Sequence, residues 1–479
     1  MTTTTMTMRH RAPALIAGLA LVLGACSTGG DDTEGPEETG APTSASATEA
    51  SEDATDGTAD APVVEIPDTP VGEQVTWTIA SLVPGAAIDA ADADARLAPA
   101  VRESTGGAAL VQAFTGFATT GPWEPIGYEG DDAAAVVTLR DSAGAVLELS
   151  ISLAEDGLIE QLFFQEPFEF EAAASWDELT DDVEALPAET TLVVTDVTDP
   201  ANPEEVFRAG DDGAFPIGSV FKLYVLGAVT DAVAAGTLTW DTPLTLTEDV
   251  KSMPSGELQN EPAGTQVTVQ EAAEAMIAIS DNTATDLLIE TVGREAVEAQ
   301  LAVMGQSDPG LNTPLLTTRE LFILGWGDDQ APRQAWADGD ETERRAVLEA
   351  LPAGPPGIDP TTIAETVWQD GLDWFATPAD LVAAQLALQE KADTPAGEPL
   401  TAILGASPGI EPAVAETFDE VAFKGGSSMG VVALSHYYSG PDGDHVVTVQ
   451  ARSDSQTDTA DARIYFGVAQ SAAMLLGEG

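Results

Sequence analysis

The chain has 479 residues, with 81 acidic and 17 basic side chains, three histidines and one cysteine. At about 150 residues per domain this length predicts roughly three domains. A net charge of −64 argues against nucleic acid and anionic lipid surfaces as partners, because such a field repels phosphate. One cysteine excludes an internal disulfide and a cysteine-based zinc site, and three histidines leave little material for any other metal site. We therefore expect neither a metal nor a cofactor.

Residues 1–26 have the features of an export signal. A short basic region precedes the apolar stretch 15–23, which is too short to span a bilayer. The stretch leads into Gly24-Ala25-Cys26, which resembles the lipobox of bacterial lipoproteins, with Cys26 as the lipid acceptor. We expect a lipoprotein on the outer face of the cytoplasmic membrane. The alternative is a secreted protein in which Cys26 is incidental.

Residues 27–70 predict a disordered acidic tether. The segment holds twelve acids and no base, and it is otherwise composed largely of Thr, Ser, Ala, Gly and Pro. Such a composition buries too little apolar surface to offset the entropy of ordering the chain.

Residues 71–172 predict a small α+β domain. The Ala-rich segment from Ala90 to Phe117 is compatible with one or two helices. Alternating apolar residues, separated by turn signals, then predict the strands Ala134–Arg140, Val146–Leu153 and Leu158–Phe164. Helices followed by an antiparallel meander resemble the steroid-isomerase or cystatin-like fold. A ligand pocket is one role for this domain, and we favour a scaffold or partner-docking role.

Residues 173–479 predict a larger α/β domain with an antiparallel sheet flanked by helices. Strands are predicted at both ends of the domain, and a helix near Ala462–Leu476 closes it. The predicted strands are Thr190 to Val197, the region Val421–Ala433, and His445–Ala451. A sheet of this kind takes its edges from both ends of the domain.

Ser219 and Lys222 form the first motif with chemical potential. They open the apolar stretch from Phe221 to Val233, which predicts a buried helix. Three residues apart, both side chains would lie on one face near the helix N-terminus. An apolar setting pushes a lysine toward the neutral amine, the form that can accept a serine proton. The alternative is a serine N-cap with an unrelated lysine one turn later.

Ser280-Asp281-Asn282 is the second motif. Thr268 and Glu271 form a capping box for a helix running to Ile279, and a second helix is predicted from Thr283 to Val292. A hydroxyl and an amide at such a junction can relay a proton and hold a substrate amide. The alternative is simple turn chemistry.

Lys424, Gly425, Gly426 and Ser427 form the third motif, after the strand-like residues 421–423. Glycines in a strand indicate close approach of another group, here interpreted as a ligand. Lys424 adds a cation that would attract a carboxylate. The alternative is a β-bulge at a sheet edge.

Together the three motifs resemble the S-x-x-K, S-D-N and K-T-G set of serine β-lactamases and penicillin-binding proteins. Their order agrees, and the interval from Ser219 to Ser280 is that of the class A enzymes. Two of only four lysines occupy motif positions. The resemblance implies a nucleophile, a base, a proton relay, ligands for the substrate amide and carboxylate, and two oxyanion-hole amides. By this resemblance Ser219 is the nucleophile, Lys222 the base and Ser280 the proton relay. Asn282 binds the substrate amide and Lys424 the carboxylate, with Gly425, Gly426 and Ser427 also in the substrate site. The N–H groups of Ser219 and Ser427 form the oxyanion hole.

Three departures from that pattern stand out. Gly425 replaces the hydroxyl residue of K-T-G, a contact that Ser427 can supply. The interval to Lys424 is longer than in class A enzymes, and we place the excess in 326–372, with a short helix near Glu341–Leu351. No E-x-x-L-N motif carries a deacylating glutamate. Asp308 and Glu320 are the nearest candidates, although surface or capping roles are favoured for both.

The combination with a small preceding domain most resembles the two-domain β-lactamase-like proteins of clavulanic acid gene clusters. It implies a serine hydrolase acting on β-lactams or related amides and esters. The lipobox predicts, independently, a membrane attachment through the N-terminal lipid. A D-Ala-D-Ala peptidase, or a slow-turnover protein that binds β-lactams or peptidoglycan, is the alternative.

Residues 426–430 also satisfy G-x-S-x-G, the nucleophile elbow of α/β-hydrolases. That fold needs an acid and then a histidine well downstream of the serine. His436 and His445 follow too closely and alternate with apolar residues, so we interpret them as structural strand residues.

Overall fold

The computed structural model describes residues 62–154, 156–168, 170–360 and 363–477. The predicted export signal, with Cys26, and most of the predicted tether lie outside the described residues. The chain divides into two compact units, with the boundary between residues 169 and 170.

The first unit combines short helices with an antiparallel meander of order β1-β2-β3-β4. Its helices are Pro70–Ser81 (α1), Ala90–Arg96 (α2), Pro99–Ser104 (α3) and Gly106–Phe117 (α4). Its strands are Glu124–Gly130 (β1), Ala134–Arg140 (β2), Val146–Leu153 (β3) and Ile159–Gln165 (β4). The predicted α+β class is confirmed for this unit.

The Ala-rich segment holds three helices rather than one or two, and α1 and β1 escaped prediction altogether. The α1 helix begins at the N-cap Thr69 with Pro70 in its first turn, but its Val, Thr, Trp and Ile residues are typical of strands. The β1 strand contains a proline and two glycines, which hide it. The backbone N–H of Val64 donates to the Pro125 carbonyl at 2.8 Å, so this unit begins earlier than residue 71.

The second unit is built on a five-stranded antiparallel sheet of order β11-β12-β13-β5-β6. Its strands are Glu189–Asp196 (β5), Glu204–Ala209 (β6), Phe215–Pro216 (β7), Pro243–Thr245 (β8), Gln266–Thr268 (β9), Phe375–Ala376 (β10), Glu420–Ser428 (β11), Val431–Gly440 (β12) and Gly443–Arg452 (β13). Its helices are Trp176–Glu184 (α5), Lys222–Ala234 (α6), Val269–Ala278 (α7), Asn282–Val292 (α8), Arg294–Val303 (α9), Thr318–Trp326 (α10), Ala331–Asp338 (α11), Glu341–Ala350 (α12), Pro378–Ala392 (α13), Leu400–Leu404 (α14), Pro412–Ala415 (α15) and Arg463–Gly477 (α16).

Helices cover both faces of this sheet. Along β12, Ala433 belongs to the core built around α6, whereas Val432 and Leu434 belong to the core built around α5 and α16. This alternation is the two-residue period of a strand buried on both sides. The β5 strand pairs with β13, so the sheet joins both ends of the unit, and the predicted architecture is confirmed.

The α6 helix lies at the centre of one core. Every residue from Lys222 to Thr230 is buried, as expected for a helix that is apolar on nearly all faces. Because its first residue is a lysine, the fold places an amine inside this core.

Candidate active site

Ser219 lies in a tight turn that leads into α6. A 3₁₀ turn, Gly218–Phe221, precedes the α-helix, so Ser219 stands just before the helix rather than in its first turn. The turn follows the short strand β7, which pairs with β10. Ser219 is half-buried, and its hydroxyl makes no hydrogen bond within the described residues. It is therefore placed as a reactive serine requires, accessible and unengaged.

Lys222 is fully buried and points at the second motif. Its Nζ donates to the Ser280 carbonyl at 2.6 Å, to Ser280 Oγ at 3.0 Å and to Asn282 Oδ1 at 2.7 Å. Burial, reinforced by the nearby Lys424 ammonium, holds the pKa of Lys222 well below its usual range. The amine is thus pushed toward its neutral form, as predicted, and a neutral amine has two N–H groups, so it can donate to only two of these three oxygens at once.

Among the described contacts, the Lys222 amine has no hydrogen bond to Ser219. The predicted pairing of amine and hydroxyl is therefore indirect in this conformation, because the amine is turned toward Ser280 and Asn282. Hydrogen bonds of this kind are often loose until a substrate is in place.

Ser280 joins the two motif lysines. Its Oγ accepts from Lys222 Nζ and from Lys424 Nζ, each at 3.0 Å. The residue has a φ of 56°, a left-handed conformation that is uncommon outside glycine and costs energy. Ser255 Oγ donates to the Ser280 carbonyl at 2.7 Å and helps to hold this conformation. The strained backbone places the hydroxyl between two amines.

Asp281 and Asn282 organise the loop beside this junction. Asp281 caps α8 through Ala284 N at 2.8 Å, and its other oxygen accepts from Glu257 N at 2.7 Å and Leu258 N at 2.9 Å. Asn282 Nδ2 donates to the Met253 carbonyl at 3.1 Å. The supporting role of Asp281 was missed at the level of sequence, although its N-cap position was a usable signal.

Lys424 is buried on β11 with only 3% of its surface exposed. Besides Ser280, its Nζ donates to the Gly425 carbonyl at 2.7 Å. Burial lowers the pKa of Lys424 to about 7. The cation and the neutral amine are therefore close in free energy near neutral pH.

The glycines of the third motif bring β11 against the Gly218–Phe221 turn, which carries Ser219. A Cβ added to Gly426 would lie 2.1 Å from the Ile217 carbonyl oxygen and 2.7 Å from Ser219 N. A Cβ added to Gly218 would lie 2.7 Å from Ser427 N. The amides of Ser219 and Ser427 thus belong to two facing segments of backbone, the arrangement that an oxyanion hole needs.

Two interpretations of these glycines require correction. At Gly426 the close neighbour is the chain's own backbone rather than a ligand. A Cβ at Gly425 would meet mainly the Phe423 ring, at 2.9 Å. β11 is an edge strand, but its pairing with β12 runs from Glu420 to Ser428 without a register shift, so it has no bulge. Ser427 is half-buried, and its hydroxyl is unengaged within the described part of the chain.

Asp373 is a further residue of the site that sequence reasoning missed. Its Oδ1 accepts from Gly218 N and from Trp374 N, both at 2.8 Å, and its Oδ2 accepts from Ser428 Oγ at 2.8 Å. Burial raises the pKa of Asp373 to about 6, although these hydrogen bonds oppose the shift. The available signal was an acid within the apolar run Leu372 to Phe375, because an acid is rarely buried unless it is paired.

Asp308 and Glu320 have structural partners. Asp308 caps a 3₁₀ turn and accepts from Gly310 N at 3.2 Å. Glu320 forms a capping box with Thr317 and a two-pronged ion pair with Arg294, at 2.9 and 2.6 Å. These engagements agree with the capping roles that we favoured for both acids.

The predicted insertion at 326–372 contains two helices. One, α12, matches the predicted helix, and α11 was missed. The loop after α12 is tied at Gly354, whose N–H donates to Asp249 at 2.9 Å and whose carbonyl accepts from Arg319 Nε at 2.6 Å. Arg319 N in turn donates to Asp286 on α8 at 2.8 Å. This loop is therefore linked, through α10, to the helix that begins at Asn282.

The histidines of the rival elbow lie in strands. His436 is buried on β12, where it stacks on Phe423 with ring centroids 4.3 Å apart, and burial lowers its pKa to about 3. His445 pairs with Asp196 across β13 and β5. A buried histidine with so low a pKa is too weak a base to take the proton of an elbow serine, so the structure agrees with our rejection of that fold.

Across the described ranges, no helix is long and apolar enough to cross a membrane. No group of three or more His, Cys, Asp or Glu side chains in the same ranges could hold a metal ion.

Residues 174–347 match the model of the β-lactamase enzyme family. This match, together with the three motifs and the sheet, shows that the larger unit is similar to the serine β-lactamase superfamily and has a β-lactamase-like fold. Residues 66–159, in the first unit, match a second model, described as the N-terminal part of the ORF 12 gene product.

Several solved structures are similar to the chain. PBP-A is 19% identical with a TM-score of 0.44, over 64% of this chain and 96% of its own. A β-lactamase from Sphaerobacter thermophilus is 22% identical with a TM-score of 0.45, over 64% of this chain and 97% of its own. An ancestral class A β-lactamase is 22% identical with a TM-score of 0.42, over 62% of this chain and 98% of its own. A comparison with curated proteins gave no match.

Proposed function

We propose that the larger unit hydrolyses β-lactams, or related amides and esters, through an acyl-enzyme at Ser219. One observation carries this proposal: Ser280 Oγ lies 3.0 Å from the Nζ atoms of both Lys222 and Lys424. A buried amine, a relay hydroxyl and a buried cation are thereby collected beside a half-buried serine.

Acylation begins when the neutral Lys222 amine accepts the Ser219 proton and Ser219 Oγ attacks the substrate carbonyl carbon. The oxyanion that forms accepts hydrogen bonds from the N–H groups of Ser219 and Ser427. Each such donor is typically worth ~3–4 kcal/mol of barrier. The carbonyl then re-forms as the carbon–nitrogen bond breaks. The leaving nitrogen takes a proton from Ser280 Oγ, which is replenished by the Lys222 ammonium.

Substrate binding rests on Lys424 and Asn282. The Lys424 ammonium would attract a substrate carboxylate, an attraction strengthened by its burial. Asn282 Nδ2 carries two N–H donors, of which one is given to Met253, and the other can bind a substrate amide oxygen. Ser427 Oγ replaces the hydroxyl that Gly425 lacks.

Deacylation is expected to be slow, which favours the second candidate function, a penicillin-binding D-Ala-D-Ala peptidase or slow-turnover binding protein. The supporting observation is that Asp308 and Glu320 are both committed to caps, and Glu320 also to Arg294. The Glu320 carboxylate is therefore not free to activate a water molecule in this conformation, whereas Asp308 is exposed and accepts one hydrogen bond, from Gly310 N.

Rapid mixing with a chromogenic cephalosporin, followed by intact-protein mass spectrometry, separates these functions. Hydrolysis without a persisting adduct indicates a β-lactamase, and a stable adduct indicates a penicillin-binding protein. Ser219→Ala should abolish both signals. Ser407→Ala is the matched control, because Ser407 is also half-buried with no side-chain hydrogen bond among the described residues. If the unmodified protein shows no hydrolysis and forms no adduct, the proposal is overturned.

We further propose that the protein is exported and anchored through a lipid on Cys26, as a two-domain protein like those of clavulanic acid gene clusters. The lipobox sequence supports the anchor, and the separate matches of the two units support the domain pair. Cys26→Ser should move the protein from the membrane fraction to the medium. Unchanged membrane association of this variant would contradict lipid anchoring.

A further inference from the structure

Asp373 connects the two segments that carry the amides of the oxyanion hole. On one side it accepts from the N–H of Gly218, the residue before Ser219. On the other it accepts from Ser428 Oγ, on the residue after Ser427. The two segments lie far apart in sequence. A single carboxylate, hydrogen-bonded to both, therefore holds them next to each other.

The position of Asp373 is itself fixed. Its Oδ1 also accepts from its neighbour Trp374 N at 2.8 Å. The Trp374 ring stacks on Phe221 with centroids 3.7 Å apart and an angle of 6° between planes. Phe375 then pairs with Pro216, two residues before Gly218. The residues that follow Asp373 thus pack against the same Gly218–Phe221 turn whose N–H group the carboxylate binds.

Contact and hydrogen bonding together define the gap between the segments. The missing side chains of Gly218 and Gly426 let the two backbones approach, and the contact sets the shortest distance between them. Contact alone does not prevent the segments from sliding or separating. The carboxylate supplies the attractive part, through hydrogen bonds to an anion, which are stronger than neutral ones.

We propose that Asp373 is a positioning residue that holds the N–H groups of Ser219 and Ser427 in the geometry of one oxyanion hole. The inference rests on the proposed function, because it concerns the acyl-enzyme formed at Ser219. It assigns to this acid an effect on the polarisation of the substrate carbonyl, beyond any effect on folding.

Asp380 provides a matched control for a purely structural carboxylate. It is 4% exposed, as Asp373 is 3% exposed. It also accepts from two backbone N–H groups and one serine hydroxyl, namely Thr377 N, Ser307 N and Ser307 Oγ. Its bonds stabilise the start of α13. Replacing either acid by alanine removes the same kinds of hydrogen bond.

The test compares Asp373→Ala, Asp373→Asn, Ser428→Ala and Asp380→Ala by acylation rate and by infrared spectroscopy of the penicillin acyl-enzyme carbonyl. Asp373→Ala should acylate about 100-fold more slowly, as expected for misplacing a reacting group by ~1 Å. Its acyl carbonyl should absorb at higher frequency, because a carbonyl outside the oxyanion hole is less polarised. Ser428→Ala loses the hydrogen bond to Asp373, and its acylation rate and carbonyl frequency should change in the same directions by smaller amounts.

Asp373→Asn should restore the acylation rate to within about threefold of the unmodified protein, and the acyl carbonyl to the frequency that it has in the unmodified protein. Its amide oxygen still accepts from Gly218 and Trp374, and its NH₂ can donate to Ser428 Oγ, since a hydroxyl also accepts. Asp380→Ala should lower the melting temperature without moving the carbonyl band or the acylation rate.

The outcomes separate this inference from the proposed function. If the unmodified protein acylates but Asp373→Ala behaves differently from these expectations, only the positioning role is overturned. If Asp373→Ala does not fold, Asp373→Asn is used in its place. A carbonyl band that is the same in Asp373→Ala and Asp380→Ala is the decisive form of that result. If the unmodified protein forms no acyl-enzyme, the proposed function falls and this inference falls with it.

Discussion

Gly426→Ala tests whether close approach of two backbones builds the oxyanion hole. The added Cβ would lie 2.1 Å from the Ile217 carbonyl oxygen, 2.7 Å from Ser219 N and 2.8 Å from Val220 N. All three are backbone atoms in or next to the Gly218–Phe221 turn, so no side chain can rotate to make room. Reaching an ordinary carbon–oxygen contact of about 3.2 Å requires the strand and the turn to separate by about 1 Å.

That displacement moves Ser427 N away from Ser219 N, and the oxyanion loses one well-placed donor. Loss of such a donor costs about 10²–10³ in rate, or ~3–4 kcal/mol of barrier. We expect acylation by a chromogenic cephalosporin to slow by this factor, whereas overpacking should lower the free energy of unfolding by only ~1–3 kcal/mol. Stopped-flow absorbance measures the first quantity, and urea denaturation measures the second.

Gly397→Ala is the matched control for this prediction. Its Cβ would lie 2.0 Å from the Lys391 carbonyl oxygen, an equal backbone clash beside α13 rather than at the site. It should lower stability to a similar extent and leave acylation unchanged. Equal acylation rates for the two glycine variants would refute the argument that this approach positions the catalytic amides.

Three further predictions concern the charged residues. Lys222→Arg should slow acylation by roughly 10²–10⁴, the usual worth of a general base, because a guanidinium does not deprotonate; pre-steady-state kinetics that remain fast would contradict this. The pKa of Lys424 is lowered to about 7, so the cation is present below that pH and is lost above it. KM for an anionic substrate should therefore rise as pH increases from 6 to 9, and a flat profile would exclude Lys424 as the carboxylate ligand. Glu320→Gln should leave deacylation unchanged while lowering the free energy of unfolding by about 2–3 kcal/mol, because Arg294 loses its charged partner; a stalled acyl-enzyme would instead assign Glu320 to catalysis.

Elements with strong local signals were predictable from sequence. The helix from Lys222 is apolar on nearly all faces, and the capping box formed by Thr268 and Glu271 is present as predicted. The strands β2 and β3 coincide with their predicted bounds, and β2 alternates regularly between half-buried and buried residues. Each of these features is written in a window of fewer than about fifteen residues, where periodicity and capping operate.

What escaped prediction depends on contacts between distant segments. Gly426 was recognised as a site of close approach, but only the folded chain shows that Ile217 and Ser219 are what approach it. Asp373 is far in sequence from both Gly218 and Ser428, and no spacing rule connects them. The same holds for the turn of Lys222 toward Ser280, because rotamers in a buried network follow from packing rather than from motif spacing.

The most direct test of the whole account is to locate the acylated residue. The protein is mixed with benzylpenicillin, quenched in acid within seconds, digested, and mapped by mass spectrometry. We expect one adduct, on the peptide that contains Ser219, and none in the Ser219→Ala variant. An adduct on any other serine, or hydrolysis that persists in Ser219→Ala, would contradict the account.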